Sequence, residues 1–171
     1  MQLTLPAWPH AYVHSERDRG RLSEENVATV RLLFESVSKD LLEAFADAPR
    51  LREAFEHYFA QDLEWVMPSW APGNPLESHW GIDGAIAAMT DHLSPWEMYR
   101  NVPERYVGAG DKVVVLAHEE GRLSGERSEV EIEVGGVWTF RAGKIAKVEH
   151  FTSHQQALRV AGIDPAVPQA G

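Results

Sequence analysis

Gly136-Val137-Trp138-Thr139-Phe140-Arg141-Ala142-Gly143-Lys144-Ile145 is a run of β-branched and aromatic residues broken once by Ala142-Gly143. That is the pattern of two strands joined by a tight turn. Just upstream, Val130, Ile132, Val134, Trp138 and Phe140 share one parity, while Glu129, Glu131 and Glu133 take the other. A period of two with acids on one side predicts a strand with one core face and one wet face. Working outward, four β-like runs at about 98–107, 112–122, 128–141 and 144–152 are separated by turn residues such as Gly108-Ala109-Gly110-Asp111 and Leu123-Ser124-Gly125. They read as an antiparallel meander.

The N-terminal half has a different period. From Ser23, read as an N-cap, Val27, Val30, Phe34, Val37 and Leu41 recur at three- and four-residue spacing, which predicts an amphipathic helix. Leu41, Leu42 and Phe45 mark a short second helix. Asp47-Ala48-Pro49 starts a third, whose apolar face carries Leu51, Phe55 and Phe59. Asp62 to Pro68 reads as a strand with Leu63, Trp65 and Met67 on one face and Glu64 and Val66 on the other; residues 82–93 return to helical spacing. A last helix runs from about Ser153 to Ala161 and ends at Gly162. Residues 1–21, with Pro6 and Pro9 and no sustained period, read as an arm packed through Trp8 and Tyr12.

The chain of 171 residues carries 26 acidic against 16 basic side chains, a net charge of −10. This opposes phosphate neutralisation, so nucleic acid and anionic membrane are not expected partners. No stretch approaches the roughly 18 consecutive apolar residues of a membrane span, and no basic leader opens the sequence. A soluble, cytoplasmic protein is the expectation. With no cysteine, disulfides and thiolate chemistry are excluded. Neither a glycine-rich phosphate loop nor a dinucleotide fingerprint appears, and no histidine spacing matches a metal site, so neither cofactor nor metal is expected.

Gly110-Asp111-Lys112-Val113-Val114-Val115, the hairpin from Gly136 to Ile145, and Gln156-Ala157-Leu158-Arg159-Val160-Ala161-Gly162-Ile163 together resemble the SnoaL-like branch of the nuclear transport factor 2-like superfamily. The resemblance covers about residues 23–163, leaving 1–22 as an N-terminal arm and 164–171 as a tail. It implies an α+β fold in which a curved, cone-shaped mixed sheet wraps around N-terminal helices and encloses a pocket. The segment between Ser38 and Gln61 carries more helix than relatives usually have there. Ketosteroid isomerases of this fold use a carboxylate base, a second acid and a tyrosine. By similarity these fall at Met67, at Trp138 and at or near Leu33 or Phe34, all apolar, so that mechanism is not expected.

The resemblance places Trp65, Met67, Met89, Trp138 and Phe140 around the pocket, with Trp96 closing it, as walls for a flat hydrophobic ligand. Polar candidates are His118 with Glu120, continuing the row of Val114 and Leu116, and Glu149 with His150 on the last strand. A histidine beside a carboxylate can work as an acid–base pair near neutral pH. Which of Glu149 and His150 faces inward is left open by the parity near Gly143. His79 and His92 read as surface residues at the pocket rim. Two functions follow: binding of a small hydrophobic molecule, or an isomerase, cyclase or hydrolase acting on a polycyclic or terpenoid-like substrate through a pocket histidine. A homodimer through the outer sheet face, at Val137, Thr139 and Val66, is compatible with both.

Overall fold

The computed structural model describes residues 16–69 and 71–166. The expected contacts of Trp8 and Tyr12 and the end of the tail lie outside those residues. In order the elements are α1 (Glu16–Ser36), α2 (Leu41–Ala46), α3 (Ala48–Tyr58), β1 (Phe59–Pro68), β2 (Leu76–Trp80), α4 (Gly81–Leu93), β3 (Trp96–Ala109), β4 (Lys112–Leu123), β5 (Val130–Arg141), β6 (Lys144–Phe151) and α5 (His154–Val160). The fold is α+β, with N-terminal helices and one open six-stranded sheet of order β2-β1-β6-β5-β4-β3.

The four-strand meander is present, and β1 joins it by pairing parallel with β6, with Trp65 opposite Val148 and Val66 opposite Glu149. All other pairs are antiparallel. On the inner face Leu63, Trp65, Met67, Val113, Val115, Trp138 and Val148 meet Val30, Leu33, Leu51, Phe55 and Met89 from the helices in the main core. On the outer face Val114, Leu116, Val137 and Phe151 are covered by Ala157 and Leu158 of α5. The middle strands are therefore buried on both sides, and Val113 to Ala117 are buried without a break.

Three boundaries differ from the sequence reading. The first helix begins at Glu16 rather than Ser23: Glu16 and Asp18 in its first turn complement the helix dipole, and Arg21 bonds Glu25 one turn on at 2.8 Å. This opening turn is polar all round, so hydrophobic period could not reveal it. Ser23 lies inside the helix instead, where α1 crosses β3 so closely that a Cβ on Gly108 would sit 2.1 Å from the Ser23 hydroxyl. Phe59 opens β1 rather than closing α3, and stacks on Phe55 at 4.6 Å between ring centroids. Strand β2 was not expected, because its side chains are mostly exposed at a sheet edge and carry no apolar alternation.

Helix α5 is short but well anchored. Ser153 caps it, Glu133 accepts the His154 backbone N–H at 2.9 Å, and the His154 ring Nε2–H donates to the Ala117 carbonyl at 2.8 Å. The helix sits close to β5 because residue 135 is glycine: a Cβ there would lie 2.5 Å from the Ala157 Cβ. Gly135→Val should therefore lift α5 from the outer face and destabilise the fold by about 1–3 kcal/mol in urea denaturation.

Candidate functional site: a cavity between sheet and helices

Between the inner face of the sheet and α1–α4 lies a cavity of about 600 Å³. Its walls are largely aromatic. Trp65 and Trp138 meet edge-on at 6.3 Å, Phe59 contacts both at 6.2 and 6.1 Å, and Phe34 packs against Trp138 at 5.4 Å. Exposed Arg31, Glu35 and Lys39 on the lining mark its rim.

Two sets of polar groups interrupt this wall. The first is a chain of hydrogen bonds across β3, β4 and the end of α4. The Tyr99 hydroxyl donates to Glu119 Oε2, Asn101 Nδ2 donates to Glu119 Oε1 at 2.9 Å, and His92 Nε2 lies 3.1 Å from the Tyr99 oxygen. Burial pushes the Glu119 carboxyl above its usual range against the pull of its two donors. Desolvation and the adjacent Glu119 push the Tyr99 phenol far above its own, and burial holds His92 below the usual imidazole value. With Glu119 ionised the bonds run from imidazole to phenol to carboxylate. A proton on Glu119 reverses them, so the chain can carry a proton along its length.

The second set is His150, on β6. The Val66 carbonyl can only accept, so at 3.1 Å it takes the His150 Nδ1–H and leaves Nε2 without a proton. The Trp65 ring lies 4.8 Å from the imidazole. Desolvation pulls the His150 pKa down to about 4, the Val66 bond opposes this, and nearby His92 adds to the lowering. The part of the side chain that is not buried lines the cavity. At neutral pH it is an uncharged acceptor there.

A family model described as SnoaL-like domain matches residues 39–148. The chain belongs to this family. Among solved structures, a putative SnoaL-like polyketide cyclase from Jannaschia sp. is 21% identical with a TM-score of 0.60, covering 92% of this chain and all (100%) of its own. An NTF2-like protein of unknown function from Burkholderia pseudomallei is 21% identical with a TM-score of 0.59, over 80% of this chain and 96% of its own. TerC, co-crystallised with polyporic acid, is 22% identical with a TM-score of 0.51, over 64% and 85%. At these identities the likeness is one of fold. None of the curated proteins matches the chain.

In this SnoaL-like domain Trp65, Met67, Met89, Trp96 and Trp138 line the cavity, as do Leu33 and Phe34. Phe140 does not; it is buried in the core beyond the cavity wall. A register shift at Thr139/Phe140 puts His150 opposite Gly136 and Glu149 opposite Val137. His150 thus faces inward, whereas Glu149 lies on the outer face, 3.2 Å from Lys147. His118 is also on the outer face, in the row of Val114, Leu116 and Glu120, 2.8 Å from Glu104 and 3.5 Å from Glu120. Hydrogen bonding to Glu104 raises its pKa. The inward row on β4 is the other one, ending in Glu119. Both rows begin with apolar residues because α5 covers the outer face, so alternation alone carried no sign.

Sequence reading missed Tyr99, Asn101 and Glu119, and took His92 for a surface residue. The available signal was that Tyr99 and Asn101 share a parity on β3, with the antiparallel register bringing Asn101 opposite Glu119. Among the described residues no three potential ligand side chains are grouped to hold a metal ion.

His150 makes a pH dependence with a definite sign. An unfolded imidazole titrates near 6.5, so from there down to about 4 the unfolded chain binds a proton that the folded one refuses, and stability falls on acidification. His150 contributes on the order of 2–3 kcal/mol to that fall. His92 acts in the same direction and Glu119 in the opposite one. His150→Gln should flatten the stability loss between pH 6.5 and 4 in urea titrations, leaving the opposed contributions of His92 and Glu119.

Proposed function

We propose that this SnoaL-like domain binds a flat, largely apolar small molecule in the cavity between the sheet and α1–α4. The observation that carries the reading is the pairing of an aromatic wall with a few converging polar groups, His150, Tyr99, Asn101 and Glu119, which is the composition of small-molecule sites. TerC, similar in fold, was co-crystallised with polyporic acid, in keeping with this reading. No helix among the described residues is long and apolar enough to cross a membrane, and a cytoplasmic location is part of the proposal. So is a homodimer. Its contact is the outer face beside β2, where Leu76 and Trp80 are 49% and 66% exposed; Val137 is fully covered by α5 and is not part of it. Native mass spectrometry on protein from its own host reads both at once. A retained apolar compound and a dimer mass are expected; an empty protein that also fails to bind any aromatic compound would overturn the binding reading, and a monomer mass the dimer.

A second reading is favoured by the perturbed titratable groups in the same cavity: the protein is a proton-transfer enzyme, an isomerase, cyclase or hydrolase acting on a polycyclic or terpenoid-like substrate. Neutral His150 serves as the base, and the His92–Tyr99–Glu119 chain holds or returns the proton. In that case His150→Ala lowers turnover by about 10²–10⁴-fold, while His118→Ala, on the outer face, leaves it unchanged. Equal effects of the two variants would remove His150 from the chemistry.

A further inference from the structure

Three indole nitrogens in the cavity wall, those of Trp65, Trp96 and Trp138, have no hydrogen-bond partner among the described residues, and two of them are neighbours. The neighbours, Trp65 and Trp138, are 5% and 6% exposed. Buried donors are nearly always satisfied in folded proteins, so two beside each other in a cavity wall call for a physical account. They are also close to the His150 ring, whose Nε2 has no hydrogen-bond partner among the described residues. The Trp65 ring lies 4.8 Å from the His150 imidazole. Trp138 Nε1 lies over Gly136, 2.7 Å from where a Cβ would stand, and Gly136 is the cross-strand partner of His150. With the His150 Nδ1–H held by the Val66 carbonyl, Nε2 is a bare acceptor.

The patch therefore offers two donors and one acceptor, and this count discriminates among functional groups. A hydroxyl has one O–H to give and two lone pairs to receive, the complement of two indole N–H groups and one imidazole nitrogen. A ketone or ether oxygen satisfies the indoles but leaves Nε2 unmet. An ammonium group sets donors against donors. A carboxylate brings a charge to a wall whose basic side chains, Arg31 and Lys39, stand only at the rim, and whose own acid is Glu119.

We propose that Trp65, Trp138 and His150 form a subsite for a hydroxyl group, so that the ligand is an uncharged aromatic or polycyclic alcohol or phenol. Its O–H donates to His150 Nε2 and its oxygen accepts from both indoles. This rests on the reading that the cavity binds a flat apolar molecule, and adds which polar group that molecule carries into the wall.

The test compares 2-naphthol with naphthalene and 2-methoxynaphthalene by titration calorimetry on the full chain, together with the indole N–H resonances of ¹⁵N-labelled protein. 2-Naphthol should bind about ten-fold more tightly than either relative and move the Trp65 and Trp138 N–H resonances downfield. In His150→Phe the advantage should shrink to within about two-fold. Should that variant fail to fold, the resonances of the unaltered protein decide. If all three compounds bind equally, or 2-naphthol binds without moving either resonance, the hydroxyl subsite is overturned while the cavity reading stands. If none binds, the cavity reading fails and the subsite fails with it.

Discussion

The parallel pairing of β1 with β6 is the contact on which the rest depends. It joins the N-terminal helices and the β1–β2–α4 segment to the C-terminal meander, and its register decides what faces the cavity. With Trp65 opposite Val148, the Val66 carbonyl comes within reach of the His150 ring. One backbone acceptor thereby fixes the tautomer of the imidazole, and one neighbouring indole packs against it, tilted by 45°. A shift of one residue in that pairing would turn Trp65 out and withdraw the carbonyl, so the strand that completes the sheet also prepares the cavity's polar group.

Two-sided burial organises the remainder of the sheet. Helices α1–α4 cover the inner face and α5 the outer, and the middle of β4 is apolar at every position as a result. This explains what sequence could and could not disclose. The meander, α4 and α5 were legible, because turn residues punctuate the strands and helical spacing marks the apolar faces. The start of α1 was not, since its first turn carries no apolar residue, and neither was β2, whose five residues pair only along an edge.

The site divides along the same line. Trp65, Met67, Met89, Trp96 and Trp138 were legible as cavity walls because resemblance to a known fold places those positions. The polar groups were not. Glu119 and His118 are adjacent on β4, one turned to the cavity and one to the outer face, and only the cover of α5 distinguishes a row that begins Val113, Val115 from one that begins Val114, Leu116. On β6 the extra residue between Ile145 and Lys147 in the register exchanges the sides of Glu149 and His150. The misplacement of His118 and the open choice between Glu149 and His150 arise from tertiary cover and strand irregularity, which leave little trace in local composition.

The unequal walls of the cavity also bear on how such a protein can change. In the middle of β4 the inward Val113 and Val115 have outward neighbours, Val114 and Leu116, packed beneath α5, where Gly135 leaves no room for even one further carbon atom. Enlarging a side chain on that wall strains two cores at once. Helices α1–α4 have no such second layer, and residues on their inner side, such as Leu33, Leu51 and Met89, can be exchanged with consequences confined to the cavity. The sheet is the conserving half of the container and the helices the adaptable half, so divergence in ligand choice is expected to accumulate in the first half of the chain while the meander stays recognisable.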